Sequence, residues 1–138
     1  MVNELKRAAT LLSDGSYTCV LCHDDSIFTD SRRGVRPLLE LMDSGADLHG
    51  FAAADKVVGK GAAYLYVLMG VGAVYAQVIS APAIEILSRY GIEFSYETQV
   101  PAIENREKTG LCPIESAVWD VDDPATALAV IRRTLSNL

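Results

Sequence analysis

Basic residues are few in this chain of 138 residues, where 12 lysines and arginines stand against 18 aspartates and glutamates for a formal net charge of −6. An excess of negative charge repels the phosphate backbone of nucleic acids. The opening segment MVNELKRAATLLSDGSY also lacks the uninterrupted apolar core of a secretory signal. We therefore expect a cytoplasmic protein without a nucleic-acid partner, in which the three cysteines are reduced.

Linkers, repeats and low-complexity segments are lacking too, so residues 1–138 are expected to form a single domain. The stretch GAAYLYVLMGVGAVYAQVISAPAI, residues 61–84, carries no charge and is long enough to span a bilayer. Gly70 and Gly72 interrupt it, however, and its second half is rich in β-branched and aromatic residues. We predict a buried helix followed by a central strand, and no membrane partner.

The remaining pattern predicts a mixed sheet. The runs YTCVLCH and SIFTD, separated by two aspartates, indicate an antiparallel β-hairpin near the N-terminus. A long helix is predicted from about Ala54 to Leu68, then a strand from Ala73 to Ile79, a helix from Pro82 to Gly91 and a strand over 92–99. Strand–helix–strand units give parallel pairing, so we expect a layered α/β domain.

The segment CVLCH, residues 19–23, matches the Cys-x-x-Cys-His attachment signature of c-type haem. Successive side chains of a strand point to opposite faces of the sheet. Cys19 and Cys22 would then be unable to bind one metal ion or to close a disulfide without distortion. We predict that both are core residues and that the protein uses no metal and no cofactor here.

The segment ADKVVGKGAAYLY, residues 54–66, combines charge with a slim glycine-rich surface. On the predicted helix Lys56 and Lys60 share a face, and each glycine costs about 1 kcal/mol relative to alanine. Two interpretations are open. Asp55 and the lysines face a pocket for an anionic or carbonyl-bearing ligand, or the glycines pack on the sheet while the lysines lie in water.

The segment NREKTGLCPIE, residues 105–115, places a thiol at a predicted helix start, where Cys112 precedes Pro113. The helix dipole favours the thiolate there. One interpretation is a reactive or ligand-contacting Cys112, and the other is a capped loop with an inert cysteine. The catalytic candidates are Asp55, Lys56, Lys60 and Cys112. The candidate ligand-binding residues are Gly59, Asn105, Arg106, Thr109, Gly110 and Glu115.

Four stretches, GVRPLLELM, ADKVVGKGAA, VYAQVISAPAIEIL and NREKTGLCPIE, resemble a bacterial and archaeal protein family of unknown function with a cytidine-deaminase-like fold. Together they cover most of the chain from Tyr17 to Val118. The resemblance implies a three-layer α/β/α domain with a mixed sheet, an N-terminal β-hairpin and a small-molecule cleft at two helix N-termini.

Zinc deaminases carry His-x-Glu on the first cleft helix and Pro-Cys-x-x-Cys on the second. In this chain we expect the first helix to open with residues 53–56, Ala-Ala-Asp-Lys, and the second with residues 80–83, Ser-Ala-Pro-Ala. Neither segment offers a zinc ligand, and hydrolytic deamination needs metal-activated water. We therefore expect no catalytic zinc.

Two functions remain open. The first is a metal-independent enzyme that binds a small anionic metabolite, nucleotide-like or phosphorylated, at Asp55, Lys56, Lys60 and Cys112. The second is a non-catalytic ligand-binding or regulatory module that forms a homo-oligomer. The second is favoured by the missing catalytic set and by a positive mean hydropathy of +0.20.

Overall fold

The computed structural model of the protein describes residues 2–138 and contains five strands and six helices in that range. The strands are β1 (Cys19–His23), β2 (Ser26–Asp30), β3 (Ala52–Val58), β4 (Ala73–Ser80) and β5 (Glu93–Val100). The helices are α1 (Val2–Asp14), α2 (Arg36–Asp43), α3 (Lys60–Met69), α4 (Ala81–Arg89), α5 (Pro113–Val118) and α6 (Pro124–Ser136).

All five strands belong to one mixed sheet in the order β2-β1-β3-β4-β5. The antiparallel partner of β1 is β2 on one side and β3 on the other. The pairs β3–β4 and β4–β5 are parallel, because α3 and α4 return the chain across the sheet between them. The predicted hairpin and the predicted mixed sheet are both confirmed.

The sheet has helices on both faces. On one face, α1 packs Ala8 and Leu12 against Val20 of β1 and Ala54 of β3. The opposite face carries the larger core, to which α2 through α6 contribute. The three-layer α/β/α arrangement is therefore confirmed. No helix in the described part of the chain is long and apolar enough to cross a membrane.

The cysteines of CVLCH lie on opposite faces of the sheet, as predicted. Cys19 belongs to the larger core, and Cys22 belongs to the cluster beneath α1. Each is buried and free of a disulfide. The haem-like pattern is thus a core strand.

The predicted helix from Ala54 to Leu68 is wrong at its start. Ala52–Val58 is β3, the central strand, and α3 begins only at Lys60. Three consecutive alanines have a high helix propensity, but here they pair with β1 and β4 and are buried beneath helices on both faces. Lys56 and Lys60 therefore do not share a helical face, and the first cleft helix opens with Lys60 rather than with residues 53–56.

Candidate functional site

The parallel strands β3 and β4 end side by side and lead into the N-termini of α3 and α4. This edge of a parallel sheet is where α/β domains commonly bind ligands. Gly59 is the N-cap of α3, with an extended backbone. Ser80 is the N-cap of α4, fully buried, and its hydroxyl accepts a hydrogen bond from the Ala83 amide at 3.3 Å.

The carboxylate of Glu115 lies at the N-terminus of α3. Its Oε1 accepts the Lys60 backbone N–H at 2.7 Å, and its Oε2 accepts the Ile103 backbone N–H at 2.8 Å. The side chain is 2% exposed although it is an acid. It satisfies a free amide of the first helical turn and brings negative charge to the positive end of the helix dipole. The protein's own carboxylate thus takes the position that an anionic ligand would use.

The glycines beside this carboxylate allow a close approach between α3 and residues 103–115. A Cβ atom at Gly59 would lie 3.0 Å from Ile103 Cγ1 and 3.1 Å from Glu115 Oε1. A Cβ atom at Gly61 would lie 2.5 Å from Ile114 Cγ2. The glycines therefore pack against residues 103–115 and not on the sheet, so neither of the two interpretations drawn from the sequence describes their contacts.

The ammonium group of Lys60 points to α5. Its Nζ donates a hydrogen bond to the Trp119 carbonyl at 2.8 Å, and Trp119 is the C-cap of α5. The same Nζ lies 5.9 Å from the centre of the Tyr64 ring. A cation at this end of a helix is stabilised by the unpaired carbonyls. Lys56, in contrast, is an exposed residue of β3.

The polar loop before α5 is held by its own hydrogen bonds. Asn105 Oδ1 accepts the Thr109 N–H at 3.0 Å, and Asn105 Nδ2 donates to Thr109 Oγ1 at 3.1 Å. The Gly110 carbonyl accepts the Asn105 N–H at 2.9 Å, while Arg106 is exposed. The side chains of Asn105 and Thr109 therefore shape a turn, which accounts for their residue types without a ligand, and Gly110 contributes its backbone carbonyl.

Cys112 is the N-cap of α5 and is partly buried. Its N–H donates to the Ile103 carbonyl at 2.9 Å, and its carbonyl accepts the Ser116 N–H at 2.9 Å. These bonds fix the backbone at the start of a helix of six residues. The structure therefore brings Cys112 into the segment that covers α3, together with Glu115.

Asp55 takes part in a separate buried network. The Tyr66 hydroxyl donates to Asp55 Oδ2 at 2.7 Å, and the Val57 N–H donates to Oδ1 at 3.2 Å. Burial raises the pKa of the Asp55 carboxyl to about 6, although these hydrogen bonds act in the opposite direction. Cys19 Sγ lies 3.8 Å from the Tyr66 hydroxyl. Because the phenol proton is given to Asp55, the thiol is the donor in that contact.

Sequence reasoning missed Tyr66 and Cys19 as partners of Asp55. Tyr66 lies within the apolar run of α3, and Cys19 was assigned to the core without a polar role. The signal that joins them is the antiparallel register of β1 and β3, in which Cys19 stands opposite Asp55. That register follows from the sheet and not from any local pattern.

A cavity of about 170 Å³, here called the hairpin cavity, lies between the β1–β2 hairpin and α2. Cys19 forms part of its wall, so the hairpin cavity adjoins the network of Asp55. Its other lining residues include Leu21, Phe28, Asp30, Arg32 and Glu40. None of the site candidates drawn from the sequence lines it.

The profile of a domain of unknown function, DUF1893, matches residues 7–135 of the chain. The chain belongs to the DUF1893 family. It is also similar to the crystal structure of a DUF1893 family protein from Thermotoga maritima, with 31% sequence identity and a TM-score of 0.87. That match covers 100% of this chain and 92% of the other. The family of unknown function expected from the sequence is therefore confirmed.

This DUF1893 chain has weaker likenesses to deaminases. A diaminohydroxyphosphoribosylaminopyrimidine deaminase/reductase from Thermotoga maritima is 15% identical, with a TM-score of 0.47 over 84% of this chain and 40% of that one. The dCMP deaminase of cyanophage S-TIM5 is 14% identical, with a TM-score of 0.44 over 72% of this chain and 95% of that one. Similarity at this level says nothing of the chemistry. No curated protein sequence matches the chain significantly.

Proposed function

We propose that this DUF1893 protein is a non-catalytic module that binds a small metabolite. The binding part of the proposal rests on the hairpin cavity, and its non-catalytic part rests on the buried carboxylate of Glu115, which bonds the amides of Lys60 and Ile103 at the N-terminus of α3. A substrate anion at this place would first have to displace a group that already satisfies both amides. This favours a structural junction over a reaction centre.

The placement of the four catalytic candidates supports the same choice. Asp55 is bonded to Tyr66, and Lys60 is bonded to the carbonyl of Trp119. Lys56 is exposed on β3, and Cys112 begins α5. Acid–base and nucleophilic catalysis need their groups within hydrogen-bond reach of each other or of a shared substrate atom. The four candidates instead contact different neighbours and share no polar partner within residues 2–138.

The binding role is tested by native mass spectrometry of the purified protein, followed by incubation with whatever small molecule it carries. We expect a bound molecule that is recovered chemically unchanged. Adding it at a hundredfold excess over its dissociation constant should stabilise the folded protein by about 2.7 kcal/mol in thermal unfolding. Cys112→Ser should bind equally well. Conversion of the molecule by the wild type, abolished in Cys112→Ser, would establish the enzyme instead.

A homo-oligomer is part of this proposal, and the edge strand β5 supports it. The sheet order leaves the outer side of β5 without a partner strand in residues 2–138. The strand is eight residues long and mostly exposed, with Tyr96 41% exposed. Such edges readily pair with another chain. Light scattering on the eluting protein should give at least twice the 14.9 kDa of one chain, and a monomer mass would contradict the oligomer.

A further inference from the structure

We propose that the hairpin cavity binds a small organic cation, an amine or guanidinium group on a compact apolar body. This inference rests on the binding role proposed above and names the class of ligand for it. It is carried by three features of the cavity, which are its apolar floor, the two carboxylates at its rim and the arginine held between them.

The floor of the cavity is apolar. Leu21 of β1 is buried, and Phe28 of β2 and Leu41 of α2 pack against the larger core. A closed cavity of about 150 Å³ lined by Leu, Ile and Phe is large enough for benzene. The hairpin cavity, at about 170 Å³, therefore has room for one aromatic ring or a short alkyl chain.

The rim is built to hold a planar cation. Arg32 Nε and Nη2 donate to the two oxygens of Asp30 at 3.0 and 2.8 Å. Its Nη1 and Nη2 donate to the two oxygens of Glu40 at 2.9 and 2.7 Å. Asp30 comes from β2 and Glu40 from α2, so the guanidinium bridges the mouth of the cavity. Its position shows that both carboxylates can bind one cation at the same time.

Charge at the rim favours a cationic ligand over an anionic one. Asp30 and Glu40 together exceed Arg32 by one negative charge, and Arg32 holds the pKa of Asp30 at about 2, so that carboxyl is ionised at neutral pH. A third carboxyl, that of Asp55, lies behind the wall of the hairpin cavity, where it is linked to the lining residue Cys19 through the Tyr66 hydroxyl. An anion would meet two carboxylates at the rim and only one N–H of Arg32, because the other four N–H groups already donate to Asp30 and Glu40.

Arg32 can also be displaced from Asp30 and Glu40 by a ligand. Its side chain is 52% exposed and it follows β2 in a loop, where Gly34 has a positive φ of 83°. A ligand cation that replaces it keeps both carboxylates paired, while the displaced guanidinium gains water. Arg32 is therefore a competitor of the ligand within the same chain.

The test is isothermal titration with benzylamine, benzyl alcohol and benzoate, which share a ring and differ in charge. Benzylamine is expected to bind more tightly than the other two. Arg32→Ala should tighten benzylamine binding about tenfold, because it removes the competing cation. Arg33→Ala, the matched control at the neighbouring exposed arginine, should leave the affinity unchanged.

Equal binding of the three compounds, or weaker benzylamine binding in Arg32→Ala, would overturn the proposal. Glu40→Gln provides a second variant if Arg32→Ala does not fold, and it should weaken benzylamine binding about tenfold. No effect of Glu40→Gln would also overturn it. Stabilisation by an anionic metabolite without any binding of benzylamine would refute the amine site and leave the binding role standing.

Discussion

Replacing Glu115 with alanine is expected to lower the free energy of unfolding by about 3–5 kcal/mol, the largest loss among the substitutions considered. The variant leaves the part-buried Lys60 and Ile103 amides without the acceptor that the buried Glu115 side chain supplies. Each unsatisfied buried amide costs about 1–3 kcal/mol, and the missing side chain adds a void beside Gly59. Urea denaturation followed by circular dichroism measures the difference.

One further variant separates the hydrogen bonds from the charge, and a second serves as the control. Glu115→Gln keeps the shape and one acceptor oxygen, so its loss should be about half that of alanine. Glu107→Ala changes an exposed glutamate of the preceding loop and should stay within about 0.5 kcal/mol of the wild type. If Glu115→Ala proved no worse than Glu107→Ala, the carboxylate would not be holding the N-terminus of α3.

The stability gap between the wild type and Asp55→Asn is expected to depend on pH. The pKa of Asp55 is about 6 in the folded protein against 3.8 for the free group, so folding favours the protonated form. The ionised carboxyl costs about 3 kcal/mol above pH 6, and this cost disappears as the pH falls below about 4. Relative to Asp55→Asn, the wild type should therefore gain about 3 kcal/mol between pH 7 and pH 3.

Urea denaturation of both proteins at several pH values measures this difference. Carboxyls with a lowered pKa, such as Asp30 at about 2, lose stability on acidification, but they are common to both proteins and cancel. Asp25→Asn, at an exposed position, is the matched control and should follow the wild type. Tyr66→Phe removes a hydrogen bond that lowers the pKa, so its transition should move to higher pH. Parallel curves for wild type and Asp55→Asn would refute the raised pKa.

Much of the fold could be predicted from the sequence because local signals agreed with the tertiary structure. The two aspartates between the runs YTCVLCH and SIFTD marked the hairpin of β1 and β2. Strand β3 was missed for the opposite reason. Its alanines favour a helix locally, and only their burial between two helical layers makes them a strand.

The sequence predicted which residues of the candidate site lie together better than it predicted what those residues do. Gly59, Lys60 and Glu115 do come together, but the Glu115 carboxylate accepts the Lys60 backbone N–H and packs beside Gly59. The loop residues shape their own turn, which a list of polar residues does not distinguish from a binding loop. Asp30, Arg32 and Glu40 meet only because α2 packs beside the hairpin, and no spacing in the sequence expresses that packing.

The bond from Lys60 to Glu115 has a consequence for the chain during synthesis, since its two ends are 55 residues apart. The strands of the sheet and the helix α3 all precede residue 101, so they emerge before the carboxylate that completes them. At about 5–20 residues per second, the N-terminus of α3 stays open for about 3–11 s on the ribosome. During that interval its amides bind water, and the arrival of residues 103–115 replaces that water with protein.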